Sequence, residues 1–259
     1  MSTAHQLERI VRRLESRVSL DEADRQAVRG LPLTCRTIDP ASYMVREGET
    51  VLNCVILLSG FAYRHKVTGS GERQILSIHM PGEFLDLQNC LLGVADHNVQ
   101  ALTRCDVAYV PVTAIRALTE SHPMVGRALW IDTLIDAAIY REWMVNVGRR
   151  DSTSRLAHLL CEIALRLEDA GLAERGVYEL PMTQEQIADC AGLTPVHVNR
   201  VLKELGRLGL IRRDKRAVTV LDWDRLRTIG DFSTRYLHRE VGGPNGPRAA
   251  VGGLPMGTA

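Results

Sequence analysis

The sequence predicts an α+β fold on three observations. Between about residues 35 and 112, short apolar runs are punctuated by Gly48, Gly60, Gly69, Gly71, Gly82 and Gly93, and turn signals at roughly 8–12 residue spacing mark a β-sandwich or barrel. Residues 123–147 carry apolar side chains at 3-and-4 spacing, the mark of one long helix. Between 183 and 208, two segments with helix-start signals flank Ala191, Gly192 and Leu193, the outline of a helix-turn-helix unit. The expected divisions are 1–122, 123–148, 149–240 and a tail at 241–259.

At the start, Leu7, Ile10, Val11, Leu14 and Val18 recur at helical spacing. Ser19 with Glu22 then reads as a capping box for a second helix, which Gly30 stops before Pro32. In the strand-rich region VILLSGFAYRHKV reads as two strands, TGSGE as a hairpin turn and RQILSIHM as the returning strand, while Val99, Ala101, Cys105, Val107 and Tyr109 alternate along a later one. In the long helix Ala128, Ile131, Ile135, Ala138 and Val145 share a face interrupted by Glu142. That face fits a seam against a second helix, and equally a contact with the β region of its own chain. GRRDSTS is a polar break suited to a hinge, and LAHLLCEIALRLEDAG returns to helix and ends at Gly171. The last nineteen residues, VGGPNGPRAAVGGLPMGTA, hold six glycines and three prolines, a composition that predicts disorder.

The bulk numbers limit the function classes. Lysine and arginine number 32 against 31 aspartates and glutamates, so a nucleic-acid contact requires a local basic patch. The six cysteines are far apart and form no C-x-x-C pair, so neither a metal site nor a cofactor is expected from them. MSTAHQLERIVRRLES lacks the apolar core of a signal peptide, and Asp132 and Asp136 interrupt ALWIDTLIDAAIY; the expectation is a cytoplasmic protein with reduced thiols and no membrane partner. No H-E-x-x-H, G-x-S-x-G, phosphate loop or Rossmann fingerprint is present, and GSGE at 69–72 lacks the lysine of a phosphate loop, so no enzyme activity is expected.

The functional signal lies between 183 and 221. Thr183 with Gln186 is a capping box, Thr194 is a good N-cap, and Pro195 fits the first helical position, with Gly209 as the stop. LIRRDKRAVTVLD then offers two short strands around a charged turn, a wing. At 100° per residue, Val198, Val201, Leu202, Leu205 and Leu208 form one stripe of the second helix. Val196, Arg200 and Lys203 lie opposite, with Asn199 on one flank and His197 and Glu204 on the other. Short residues near the start allow close approach to a major groove, an arginine grips a guanine by two hydrogen bonds, and a lysine holds a phosphate. Seven basic residues between Arg200 and Arg216 face only Glu204 and Asp214 in sign, an electrostatic footprint for a phosphate backbone. Double-stranded DNA is the expected partner, with Thr183, Gln184, Thr194, Pro195, Val196, His197, Asn199, Arg200, Lys203 and Arg216 as contact candidates.

On these residues the chain resembles the Crp/Fnr superfamily of bacterial transcription regulators. LPMTQEQIADCAGLTPVHVNRVLKELGRLGLI is similar to its winged helix-turn-helix, RLAHLLCEIALRL to the preceding helix, and 123–147 to its dimerisation helix; REGE at 46–49, LSG at 58–60 and PGEF at 81–84 resemble its cyclic-nucleotide-binding-like β-roll. The resemblance implies an N-terminal antiparallel β-roll of jelly-roll type, a homodimer on a two-fold symmetric operator, and RNA polymerase as a further partner. It also favours the dimer seam for Ala128, Ile131, Ile135, Ala138 and Val145, and an effector pocket, of unknown ligand, around Phe84, Asp86, Asp96 and His97.

The departures from the family pattern are equally informative. Pro195 and Val196 stand where the family's recognition helix has an arginine and a glutamate, while Arg200 matches. The operator is therefore not expected to be the usual one; Val196 fits a thymine methyl, and Asn199 or His197 a hydrogen-bonded readout. Where the family uses a glutamate for the ribose and an arginine for the cyclic phosphate, this chain has Asp86 and then Asp96 with His97. A carboxylate beside a phosphate repels it, so cyclic AMP is not the expected ligand. No cysteine precedes Cys35, so the iron–sulfur cluster of some relatives is not expected either. His65, His79 and His97 read as strand or turn histidines rather than haem ligands. Cys190 reads as a small buried residue whose oxidation would disturb DNA binding. The alternative reading is a small-molecule or redox sensor that acts through protein partners without touching DNA.

Overall fold

The computed structural model describes residues 3–174 and 176–239; the expected tail at 241–259 lies outside the described residues. Helices α1 (Thr3–Glu15) and α2 (Glu22–Arg29) come first. Seven strands follow: β1 (Thr34–Ile38), β2 (Tyr43–Val45), β3 (Asn53–Ser59), β4 (Ala62–Val67), β5 (Arg73–His79), β6 (Asn98–Ala101) and β7 (Cys105–Pro111), with a short α3 (Asn89–Leu92) before β6. Then come α4 (Val112–Ser121), α5 (Pro123–Arg149), α6 (Ser152–Asp169), β8 (Val177–Glu179), α7 (Gln184–Ala191), α8 (Pro195–Arg207), β9 (Ile211–Asp214), β10 (Ala217–Val220), α9 (Trp223–Ile229) and a 3-10 turn at Arg235–Leu237.

All pairings between these strands are antiparallel. Two sheets, ordered β1-β7-β3 and β2-β6-β4-β5, form the roll. Val55, Leu57, Val99 and Val107 fill the space between them, while Cys54, Ile56, Leu58 and Val110 face α1, α4 and α5 on the other side. That double coverage explains why β3 reads as an unbroken apolar run rather than an alternating one. The alternating series from Val99 to Tyr109 is split between two strands, β6 in one sheet and β7 in the other. The chain turns between them because the N–H groups of Leu102 and Thr103 both donate to the Phe61 carbonyl, 2.8 and 3.2 Å, and a period-2 pattern survives a change of sheet.

The second helix is capped by Asp21 and Asp24, not by Ser19 and Glu22. Asp21 accepts from the Asp24 N–H at 2.8 Å, and the Asp24 carboxylate accepts from the Asp21 N–H. Starting two residues later leaves Leu20 in the core, and a carboxylate caps as well as a hydroxyl.

A third core joins the roll to the C-terminal unit: Tyr63 of β4, Ile75 and Ile78 of β5 and Met80 just after it meet Trp143 of α5, Leu160 of α6, Ile187 of α7 and Leu205 of α8. Arg73 pairs with Asp189 at 2.7 Å, and the Gln74 amide donates to the Asp189 carbonyl at 2.6 Å, pinning α7 to β5. A chain of buried polar groups crosses the same boundary. Asp132 in α5 holds Arg13 of α1 and Arg17, just past its end, at 3.0 Å each, and Arg13 reaches Glu83 at 3.3 Å. Glu83 meets Arg166 of α6 at 3.2 Å, and Arg166 meets Glu162 at 3.1 Å. Glu162 accepts from the Trp143 indole and from the Tyr236 hydroxyl, and Tyr236 bonds to His158. Burial alone would raise the Glu83 carboxyl, yet the Arg166 and Arg13 guanidiniums hold it well below its ordinary value.

Candidate nucleic-acid interface and effector cavity

The helix pair forms where its caps place it. Thr183 and Gln186 make the reciprocal capping box, Gly192 closes α7 at φ +61°, and Thr194 accepts from the His197 N–H at the start of α8. Val198, Val201, Leu202 and Leu205 are buried, so the opposite face is turned outward. Val196 is 82% exposed. Thr183, Gln184, Thr194, Pro195, Arg200 and Lys203 are exposed, and His197 and Asn199 are half-buried. Arg216 is exposed in the turn between β9 and β10, where Lys215 takes φ +52°. The Arg200 guanidinium lies 2.9 Å from His197 Nε2, and Glu204 pairs with Arg207 at 2.7 Å.

Beside this face runs a groove of about 500 Å³ whose other wall is Ser152 and Thr153, the first turn of α6. Asp151 caps that helix by accepting from the Thr153 and Ser154 N–H groups. The sequence GRRDSTS reads as a hinge, and its D-S-T-S cap signal is the clue to this second role. Cys190 is buried, and burial pushes its thiol well up.

The five seam candidates of α5 do not lie on one free face. Ala128, Ile135 and Ala138 are buried and Ile131 half-buried within the chain's own cores, while Val145 is exposed. The exposed row is Arg127, Trp130, Leu134, Arg141, Met144 and Gly148, with Ala137 half-buried among them and Trp130 69% and Met144 77% exposed. Ala137, Met144 and Gly148 also border the cavity between α5 and the roll. Both rows obey 3-and-4 spacing, so the period alone does not separate them.

Between the roll and α5 lies a cavity of about 660 Å³. Phe84, Asp96 and His97 line it, as the sequence predicts; Asp86 does not. Its Oδ1 instead accepts from the Val55 N–H at 2.8 Å inside the roll, and burial pushes the carboxyl up to about 6. Asp96 is exposed and bonds through Oδ1 to His97 Nδ1 at 2.5 Å; burial, then Arg64, pushes His97 down to about 4. Arg64, Asp136, Tyr140 and Trp143 also line the cavity, and sequence reasoning misses them because a strand arginine and a helix tyrosine carry no local signal. His65 contacts the rings of Tyr43 and Tyr63, and His79 contacts Ser77 and Glu83.

Among the described residues no helix is long and apolar enough to cross a membrane. The sequence pattern of the cyclic nucleotide-binding domain matches residues 35–122, and that of the Crp-like helix-turn-helix domain matches 154–229. The chain is 29% identical over 205 residues to the transcriptional activator protein FnrL of Cereibacter sphaeroides, covering 76% of this chain and 81% of that one. It is 24% identical to the transcriptional activator protein FnrA of Stutzerimonas stutzeri, covering 79% and 84%. The structure of FixK2 from Bradyrhizobium japonicum superposes with a TM-score of 0.71 at 24% identity, over 77% of this chain and 98% of that one, a likeness of fold. A sensor acting only through protein partners is not favoured by these relatives. With both domains matched over more than half its length, the chain belongs to the Crp/Fnr superfamily of DNA-binding transcription regulators.

Proposed function

We propose that the protein acts in the cytoplasm as a homodimer on a two-fold symmetric operator, placing one α8 in each half-site's major groove and contacting RNA polymerase from the bound complex, with no catalytic role. The observation that carries the readout is the outward face of α8, with Val196 at its tip and Arg200 and Lys203 behind it. In this reading Arg200 pairs with a guanine, Val196 packs on a thymine methyl, and Asn199 and His197 flank them. Thr183, Gln184, Thr194, Lys203 and Arg216 hold phosphates, with Ser152 and Thr153 across the groove. The dimer seam is the exposed row of α5 centred on Trp130, Leu134, Arg141 and Met144, in place of the buried row. Cyclic AMP is not the effector, because Asp96 and His97 occupy the place of the phosphate-binding cation.

The test is a pair of variants measured on the selected operator at fixed salt. Arg200→Ala is expected to weaken specific binding by about 1–3 kcal/mol and to relax selectivity at one base pair. Lys203→Ala is expected to weaken all sequences alike and to lower the salt slope by about one. Unchanged operator affinity in Arg200→Ala would remove the assigned readout role.

A further inference from the structure

The cavity between the roll and α5 holds a buried cation without an adequate partner. Arg64 projects from β4, is 3% exposed, and donates one Nη to the Leu85 carbonyl at 2.6 Å. Its nearest carboxylate, Asp136, stands 3.7 Å away, too far for a hydrogen bond, and Arg64 Nε has no acceptor among the described residues. The other carboxylates on the cavity wall are engaged: Asp132 holds Arg13 and Arg17 at 3.0 Å, and Asp96 faces solvent beside His97. Two further lining residues carry buried polar atoms with no partner among the described residues, the Tyr140 hydroxyl and His97 Nε2. A buried polar atom left unsatisfied is costly, so three on one cavity wall mark a place where a ligand completes the set.

The contrast with the other buried arginines sharpens this. For Arg13 and Arg166 burial disfavours the charge, but Asp132 and Glu83 around the first and Glu83 and Glu162 around the second more than offset it, and both guanidiniums are raised. For Arg64 burial wins over Asp136, and the guanidinium is lowered. Ile75, Phe84, Leu87 and Trp143 give the wall an apolar, aromatic part beside the polar Gln74, Gln88 and Thr133. Lys66, the other cation on it, is paired with Glu47 at 2.7 Å, and the Tyr140 ring centroid sits 5.3 Å from the Arg64 guanidinium.

We propose that this cavity binds an aromatic monocarboxylate, its carboxylate on Arg64 and the Tyr140 hydroxyl and its ring against Phe84 and Trp143. One anionic oxygen pair satisfies Arg64 in the bidentate way that guanidinium favours, and a single charge matches the single undercompensated cation. A flat apolar body fills a wall built of rings. The proposal rests on the reading of this cavity as the protein's effector site, and names the class of effector.

The probe is indole-3-acetate, titrated into the full chain by calorimetry beside its neutral isostere indole-3-acetamide and beside cyclic AMP. The expected result is binding of the acid at least tenfold tighter than the amide. Arg64→Gln is expected to erase that difference, and Tyr140→Phe, which leaves the ring packing intact, to weaken the acid several-fold without changing the amide. Far-UV circular dichroism checks that Arg64→Gln folds; Tyr140→Phe carries the test if it does not. Equal affinity for acid and amide, no binding of either, or tighter binding of cyclic AMP than of the acid overturns the proposal. Operator affinity with and without the acid then separates the two claims. Acid binding that leaves DNA affinity unchanged refutes the effector reading while the carboxylate site stands.

Discussion

At the residue scale, single side chains are placed by constraints of very different range. Gly60 shows the strictest one. At φ +80°, a Cβ would lie 2.3 Å from the Arg104 carbonyl oxygen, where the chain passes from one sheet to the other. Gly60→Ala therefore combines left-handed strain with a backbone clash, and is expected to cost about 2 kcal/mol or more. A denaturant midpoint within error of the parent would show that the turn relaxes freely. The caps of α7 and α8 are set by neighbours three residues away, which is why Thr183, Gln186 and Thr194 are legible from the amino-acid order alone. Arg64 is the opposite case. Its neighbours, Leu85, Asp136 and Tyr140, are at least twenty positions away in sequence, and nothing in AYRHKV marks it as a cavity cation.

At the element scale, α5 illustrates what periodicity does and does not say. An interior row and an exposed row of this helix both recur at 3-and-4 spacing. The interior row is covered by its own chain on the Ala128 and Ile135 side. Trp130 and Leu134, 69% and 52% exposed, are the residues a second copy would cover. Trp130→Glu with Leu134→Glu is expected to place carboxylates at the seam and shift the protein to monomer in sedimentation experiments. Because neither side chain belongs to the chain's own core, far-UV circular dichroism should stay unchanged. A dimer that persists in the double variant would place the interface elsewhere.

At the scale of the whole molecule, the buried polar chain from α1 to the Arg235–Leu237 turn makes stability depend on pH. His79 and His158 are pushed below their ordinary value of 6.5, by burial first, with Arg64 acting on the one and Arg150 on the other. Both take up a proton less readily in the folded protein than in the unfolded chain, which protonates near the ordinary value. Their contribution is thus complete above about pH 6.5 and lost as pH falls below it, at up to about 1.4 kcal/mol per histidine per pH unit. Glu83 acts lower on the scale: its folded value is depressed, so its contribution is present above its ordinary value of 4.5 and lost as pH falls below that. The melting temperature is expected to fall between about pH 7.5 and pH 5.5, and further toward pH 4. A flat or rising melting temperature across the first interval would mean that the two histidines titrate freely. The same polar chain joins the cavity wall at Trp143 to the DNA-binding unit through Glu162.

The α+β class, the glycine-punctuated roll, the long helix and the capped helix pair with its outward-facing Val196, Arg200 and Lys203 are all written in the amino-acid order. Each of these rests on residues a few positions apart, where caps, turns and periodicity act. Packing between distant segments settles the rest: which row of α5 is free, that Asp86 turns into the roll, that the alternating series from Val99 to Tyr109 is two strands, and that Arg64 and Tyr140 meet in a cavity. Those outcomes depend on what the folded chain covers, and a pattern of apolar spacing is identical for a face that meets its own core and one that meets a partner.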